Sequence, residues 1–325
     1  MTTSLERQLE SDPSLQRFDG VEGLLPHVDH PTPLVRLRRV LPPPADTFLK
    51  LEWFNPFGSI KDRAAAYLLD GLRHRGELAG RRLVEASSGN TAIALAALAA
   101  LEGIEVIITI PDGVPNEKKV LLRMLGAEVW PTPDDLCPVD NPRDGAIALA
   151  RSIVESAGGE AYVWPDQYSN PDNVRAHYET TGPEVWRQTQ GRVRTLVAGL
   201  GTSGTLSGAG RYLKEQDPSI QVVAVEPQPG HRLPGLKSLG ETKAPAILDW
   251  SVIDEVVRVD DEPAYLMTKR LFREEALMVG PSTGAVVEAI AHLEHPGLTV
   301  GISPDSGAKY TSFFAEMLGE EGNPV

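Results

Sequence analysis

The stretch RLVEASSGNTAIALAALAALEGIEVIITI (residues 82–110) decides the fold. Residues 82–85 form a short apolar run with strand character. Residues 90–101 are almost entirely Ala and Leu, the strongest helix formers. Residues 105–110 are β-branched and stop at Pro-Asp-Gly, a turn signal. Strand, helix and strand with short links predict parallel pairing. The alternation continues in both directions. Upstream lie a strand at 47–52 and a helix at 61–75. Downstream lie a helix at 117–125, a strand at 127–130 and a helix at 144–156. A second series follows: strands at 195–198, 221–225 and 298–302, and helices at 205–214, 263–275 and 285–292. Two such series predict an α/β protein of two domains with a cleft between them, divided near residue 165 in a Gly- and Pro-bearing stretch (156–171).

Composition narrows the function. The chain has 325 residues, 41% hydrophobic and 23% charged, with a formal net charge of −14. So acidic a chain is a poor neutraliser of phosphate backbones or anionic lipid, which argues against nucleic-acid or membrane-surface partners. Its most apolar run, 92–101, is ten residues long, against about 20 for a membrane span. The start, MTTSLERQLESDPS, lacks the apolar segment of a signal peptide. The single cysteine, Cys137, excludes an intramolecular disulfide and fits a reducing, cytoplasmic setting. It has no basic neighbour in sequence and is read as non-catalytic. The pairs His27/His30 and His292/His295 lack a third ligand, so no metal site is expected.

Four motifs carry chemistry. In NPFGSIKDR (55–63) a Pro-Gly-Ser turn leads into a helix and puts Lys61 in its first turn. The helix dipole there disfavours a cation, and a neutral lysine is a nucleophile able to form a Schiff base. An ordinary surface lysine is the plainer alternative. SSGNT (87–91) offers backbone N–H groups and hydroxyls at a helix start, suited to an anion or to simple capping. GLGTSGT (199–205) follows a strand and opens a helix. It contains a literal G-x-G-x-x-G, and Glu226 lies at the end of the next strand, which suggests a dinucleotide site. Its three hydroxyls, Thr202, Ser203 and Thr205, suit a terminal phosphate monoester better. GPSTGA (280–285) is a further loop opening a helix, whose Ser282 caps it or meets a ligand.

Together with PTPLVRL (31–37), DQYSNPDNVRAHYETTGPEVW (166–186) and VEP (225–227), these motifs resemble the fold-type II pyridoxal-phosphate enzymes, specifically the cysteine synthase and cystathionine β-synthase family. The resemblance runs in the family's order from about residue 32 to 310. It implies two three-layer αβα domains with mostly parallel sheets and the cofactor in the cleft. Residues 1–50 would pack on the large domain, 51–165 form the smaller domain and 166–325 the larger, phosphate-binding one. By resemblance, Lys61 holds pyridoxal 5′-phosphate covalently and serves as base. Asn90 meets the cofactor 3-hydroxyl, Gly201, Thr202, Ser203, Gly204 and Thr205 its phosphate, and Ser282 its ring nitrogen. Ser87, Ser88, Gly89, Thr91 and Gln167 would bind the substrate carboxylate.

The implied reaction is β-replacement on O-acetylserine or O-phosphoserine by sulfide or another sulfur donor, through an aminoacrylate, giving L-cysteine. Cystathionine or diaminopropionate synthesis and Ser/Thr dehydration are alternatives on the same fold. An NAD-dependent oxidoreductase is a remote one, because it leaves Lys61 and SSGNT unexplained. The family also implies a homodimer. Ala92, Pro281 and Asp305 depart from its usual residues without removing a catalytic group. The chain ends too early for the regulatory domain of long cystathionine β-synthases, and no haem is expected. The loop GHRLPGLK (230–237) resembles the second cysteine synthase isozyme. Its Arg232 and Lys237 are the candidates for binding an anionic leaving group or sulfur donor, or are simply solvated.

Overall fold

The structure is a computed structural model, which describes residues 17–43, 45–87, 89–133, 145–156, 161–294 and 297–318. Ser88, Cys137 and His295 lie outside the described residues. Strands β3 (Arg82–Ala86), β4 (Val106–Pro111), β5 (Glu128–Thr132) and β6 (Tyr162–Val163) form a parallel sheet in the order β5-β4-β3-β6. The six-stranded sheet uses β1 (Leu34–Arg36), β2 (Asp46–Leu51), β7 (Val193–Gly199), β8 (Gln221–Pro227), β9 (Glu255–Val259) and β10 (Leu298–Ser303). Its order is β1-β2-β10-β7-β8-β9. Only the β1–β2 pair is antiparallel.

The inner strands of both sheets are covered on both faces, which is why β4, β7, β8 and β10 read as mostly apolar runs. In the small sheet Leu83, Val106, Ile108 and Ile110 pack with α1 (Lys61–His74) and α2 (Asn90–Leu101). The alternate residues Val84, Ala86 and Ile107 face α4 (Ala146–Ser156) through Ala146, Ala150 and Ile153. In the large sheet Val197, Val223 and Val225 pack with α8 (Asp261–Glu275) and α9 (Pro281–His292). On the other face Leu196, Ala198, Val222 and Ala224 pack with α7 (Gly204–Gln216).

The predicted helices and strands are present within a few residues of their expected bounds. A helix α3 (Asn116–Met124) stands where 117–125 was expected. The strands β1, β6 and β9 were not expected, since they are short or exposed at a sheet edge. Nor was the run 172–188, which forms α5 (Asp172–Ala176), a π-helical turn (His177–Thr181) and α6 (Gly182–Gln188). Its buried residues include Asn173, His177, Thr181 and Glu184, so its polar side faces inward. Among the described residues, no helix is long and apolar enough to cross a membrane.

Candidate active site

The turn before α1 is built by its own side chains. Asp62 accepts the Phe57 N–H (2.6 Å) and the Ser59 hydroxyl (3.2 Å), and Gly58 takes φ +80, the left-handed region open to glycine. Ser59 Oγ accepts the Lys61 N–H (3.2 Å), and Ile60 N–H reaches Pro304 O (2.8 Å), at the end of β10. Lys61 is thereby fixed at the first position of α1, facing the ends of the large-sheet strands.

Behind it stands a buried charge cluster. Arg63 Nε lies 2.7 Å from Glu52 Oε2 and Nη1 lies 2.5 Å from Glu184 Oε1. Lys50 Nζ lies 2.7 Å from Glu184 Oε2, and Thr32 Oγ1 donates to Glu52 (2.7 Å). All four charged side chains are at most 1% exposed. The cluster ties α1 to β2, to α6 and to the PTPLVRL segment.

The cleft beside Lys61 is lined by Asn90, Gly201, Thr205, Ser282 and Asp305, over Ile60, Leu236, Val286 and Ile302. Lys61 Nζ donates to Thr202 Oγ1 (3.2 Å). Burial is the main cause lowering its pKa to about 8; the Asp305 charge opposes this and Lys237 adds to it. The neutral amine therefore gains population as pH rises through about 8. We expect capture of pyridoxal phosphate by the apoprotein to quicken about tenfold per pH unit below that value and then level off, as measured by absorbance in a stopped-flow mixer.

At the 201–205 loop, Ser203 has φ +71, a conformation rare outside glycine, just before α7. Its Oγ is buried and has no hydrogen-bond partner among the described residues. A Cβ on Gly201 would lie 2.8 Å from Gly235 O, so bare backbone is needed there. At SSGNT, Gly89 precedes α2 and makes no side-chain cap of the helix. Ser87 Oγ accepts the Gly89 N–H (3.3 Å), and Thr91 Oγ1 donates to Gln167 Oε1 (2.6 Å). Ser282 is buried in the first turn of α9, where Gly280 is the cap residue and no side-chain cap is made.

Two expectations change. Arg232 is not brought to the cleft: its guanidinium is 64% exposed and pairs with Glu316 on α10 (Thr311–Leu318). Glu226, the acid of the dinucleotide reading, is buried and occupied by Leu239 N–H (2.7 Å) and Arg258 Nε (3.2 Å). Lys237, in contrast, lies close enough to Lys61 to lower its pKa, with its Nζ 4.2 Å from the Tyr168 ring centre.

Several polar residues of the site went unassigned in the sequence. Asn173 Nδ2 donates to Gln167 O (2.7 Å) and Thr202 Oγ1 (3.2 Å). His177 contacts Thr181 Oγ1 (2.8 Å) and Thr205 Oγ1 (3.3 Å), and burial pushes it down to about 3, so it is neutral. Asn173, His177 and Thr181 recur every four residues, a helical face that could have been noticed. Asp305 Oδ2 accepts from Asn90 Nδ2 (2.6 Å) and from the Tyr310 hydroxyl, while Lys309 Nζ holds Asn90 Oδ1 (2.9 Å). Among the described residues no cluster could hold a metal ion.

An amine of lowered basicity in a part-buried cleft, opposite a loop of free hydroxyl and bare backbone at a helix start, fits an aldehyde cofactor that ends in a phosphate monoester. With the two αβα layers around it, this is a fold-type II pyridoxal enzyme. The sequence profile of the pyridoxal-phosphate dependent enzymes matches residues 26–301, and the chain belongs to that family. It is 40% identical over 300 residues to cysteine synthase of Aquifex aeolicus, covering 88% of this chain and 90% of that one. To cysteine synthase B of Pseudomonas aeruginosa it is 39% identical over 286 residues, covering 86% and 93%. The crystal structure of O-ureido-L-serine synthase superposes with a TM-score of 0.84 at 33% identity, covering 94% of this chain and 97% of that one.

Proposed function

We propose that the protein makes L-cysteine by β-replacement on an O-activated L-serine, O-acetylserine or O-phosphoserine, using sulfide or another sulfur donor. The observation that carries this reading is the half-buried Lys61, its amine bonded to the Thr202 hydroxyl in the same cleft as Asn90 and Ser282. Lys61 and Asn90 would hold the cofactor's aldehyde side, residues 201–205 its phosphate and Ser282 its ring nitrogen. When bound, pyridoxal phosphate supplies the electron sink for chemistry at the amino acid's α-carbon. Gln167 and the 87–91 loop would bind the α-carboxylate with amide, hydroxyl and backbone donors. That grip would present the α-hydrogen to Lys61, whose amine in its neutral form would take the proton as general base. Asn173 and Thr202 hold the Lys61 side of the cleft in place. Lys237 is the remaining candidate for an anionic leaving group or donor. Lys237→Ala should raise KM for O-phosphoserine about tenfold and leave KM for O-acetylserine nearly unchanged, as read by steady-state kinetics with each ester.

The experiment that tests the main reading is the visible spectrum of the holoenzyme on adding each ester, followed by sulfide. A spectral change with one ester, reversed by sulfide as cysteine forms, supports it. A cofactor band that ignores both esters refutes it. The similarity to O-ureido-L-serine synthase favours one second reading, β-replacement by a nucleophile other than sulfur. Competition between sulfide and hydroxyurea for the same ester distinguishes the two. The working enzyme is read as a cytoplasmic homodimer, which sedimentation of the purified protein tests for its assembly.

A further inference from the structure

Glu85 is the penultimate residue of β3, separated from the 87–91 loop by Ala86, and is completely buried. Among the described residues no cation pairs with it, so its burial is costly unless its contacts do something an apolar residue cannot. Burial pushes its carboxyl up to about 8, with the Asp166 charge adding to the effect. Its Oε2 accepts the Asp166 N–H (3.1 Å) and its Oε1 accepts Gln167 Nε2 (3.3 Å). On its other side the same amide takes the Thr91 hydroxyl at its oxygen (2.6 Å).

A glutamine amide has two nearly isosteric orientations, and only its partners choose between them. Here an acceptor stands at its nitrogen and a donor at its oxygen, so one orientation is selected. We infer that Glu85 is a positioning residue of the amino-acid site: it fixes the Gln167 amide against Thr91 and thereby sets the donors offered to the substrate carboxylate. This rests on the reading that Gln167 and the 87–91 loop take that carboxylate. Glu85 touches neither substrate nor cofactor and acts only through Gln167.

Glu85→Gln is the test. Measured at pH 9, above the value near 8 at which Glu85 loses its proton, the substitution keeps shape and volume but leaves one acceptor oxygen where there were two. The N–H groups of Asp166 and Gln167 then compete for it, and the Gln167 amide is released or turned over. KM for O-acetylserine is expected to rise about tenfold, the worth of one hydrogen bond, with kcat within about threefold and the bound cofactor's visible spectrum unchanged. In the Gln167→Ala background the same change should have no further effect on KM, because the residue through which it acts is gone. An unchanged KM, or effects that simply add, overturns the inference. Spectral titration with L-alanine, which has a carboxylate but no leaving group, separates the two readings. Weaker alanine binding in Glu85→Gln upholds the positioning role even if no serine ester turns over. Equal binding in both proteins refutes that role even if cysteine is made. No alanine response in the unaltered enzyme refutes it as well.

Discussion

Lys61→Ala should lower kcat by at least about 1,000-fold, the scale of a lost general base. Among the described residues, Lys61 is the only lysine lining the cleft. Lys309 is committed to Asn90 Oδ1 and Phe57 O, and Lys237 lies over Tyr168. The 201–205 loop loses only the Thr202–Lys61 hydrogen bond, and Thr202 keeps Asn173, so the variant should still bind pyridoxal phosphate. Borohydride should no longer fix the cofactor to the chain, which mass spectrometry reads directly. Added methylamine should restore a small part of the rate by supplying the missing amine. A variant that kept a tenth of the activity would remove Lys61 from the proposed role.

Arg63→Leu should destabilise the fold by about 3–5 kcal/mol, measured by urea unfolding of the holoenzyme. The loss comes less from the missing attraction than from the two carboxylates left behind. Glu52 and Glu184 are fully buried, and Glu184 would keep Lys50 as its cation, with the Thr32 N–H (3.3 Å) besides. Burial alone would raise the Glu52 pKa, but Arg63 overrides it and holds the carboxyl down at about 2. Because that folded value lies below the unfolded one near 4.5, the stabilisation is present above pH 4.5. It fades as pH falls from there toward 2. Arg63→Leu combined with Glu52→Leu removes one charge of each sign and leaves the Lys50–Glu184 pair intact. It should recover at least half of the loss.

The parts of this protein legible in its sequence are those where local preference and tertiary environment agree. Residues 82–110 fold as read because β4 is apolar at all but Thr109, β3 at its centre, and α2 is nearly all Ala and Leu. The cleft was legible through its backbone devices: the turn before Lys61, the glycines at 199–204 and the bare helix start at Asn90. The run 172–188 escaped because its helices turn Asn173, His177, Thr181 and Glu184 inward, against the usual rule that polar faces meet water. Arg232 was misplaced because nothing near it in sequence reveals Glu316, its partner 84 residues later. The same holds for Asp305, whose hold on Asn90 spans 215 residues. Long-range polar partners leave no periodic trace.

The position of β2 has a consequence for how the chain is made. The small sheet is contained between residues 82 and 163 and can pair its strands as soon as that span has left the ribosome. β2, at residues 46–51, lies between β1 and β10, and β10 spans 298–303. β2 must therefore wait until the chain has been extended through β10 before its inner edge is paired. Until then an apolar hairpin, β1–β2, trails with an open edge, the kind of surface that invites wrong partners. The large sheet closes late and through contacts distant in sequence, so its assembly should set the pace of folding. The strand that completes it also carries Ser303 at its end, two residues before the Asp305 that pins Asn90. Maturation of the catalytic cleft and completion of the fold are thus one event.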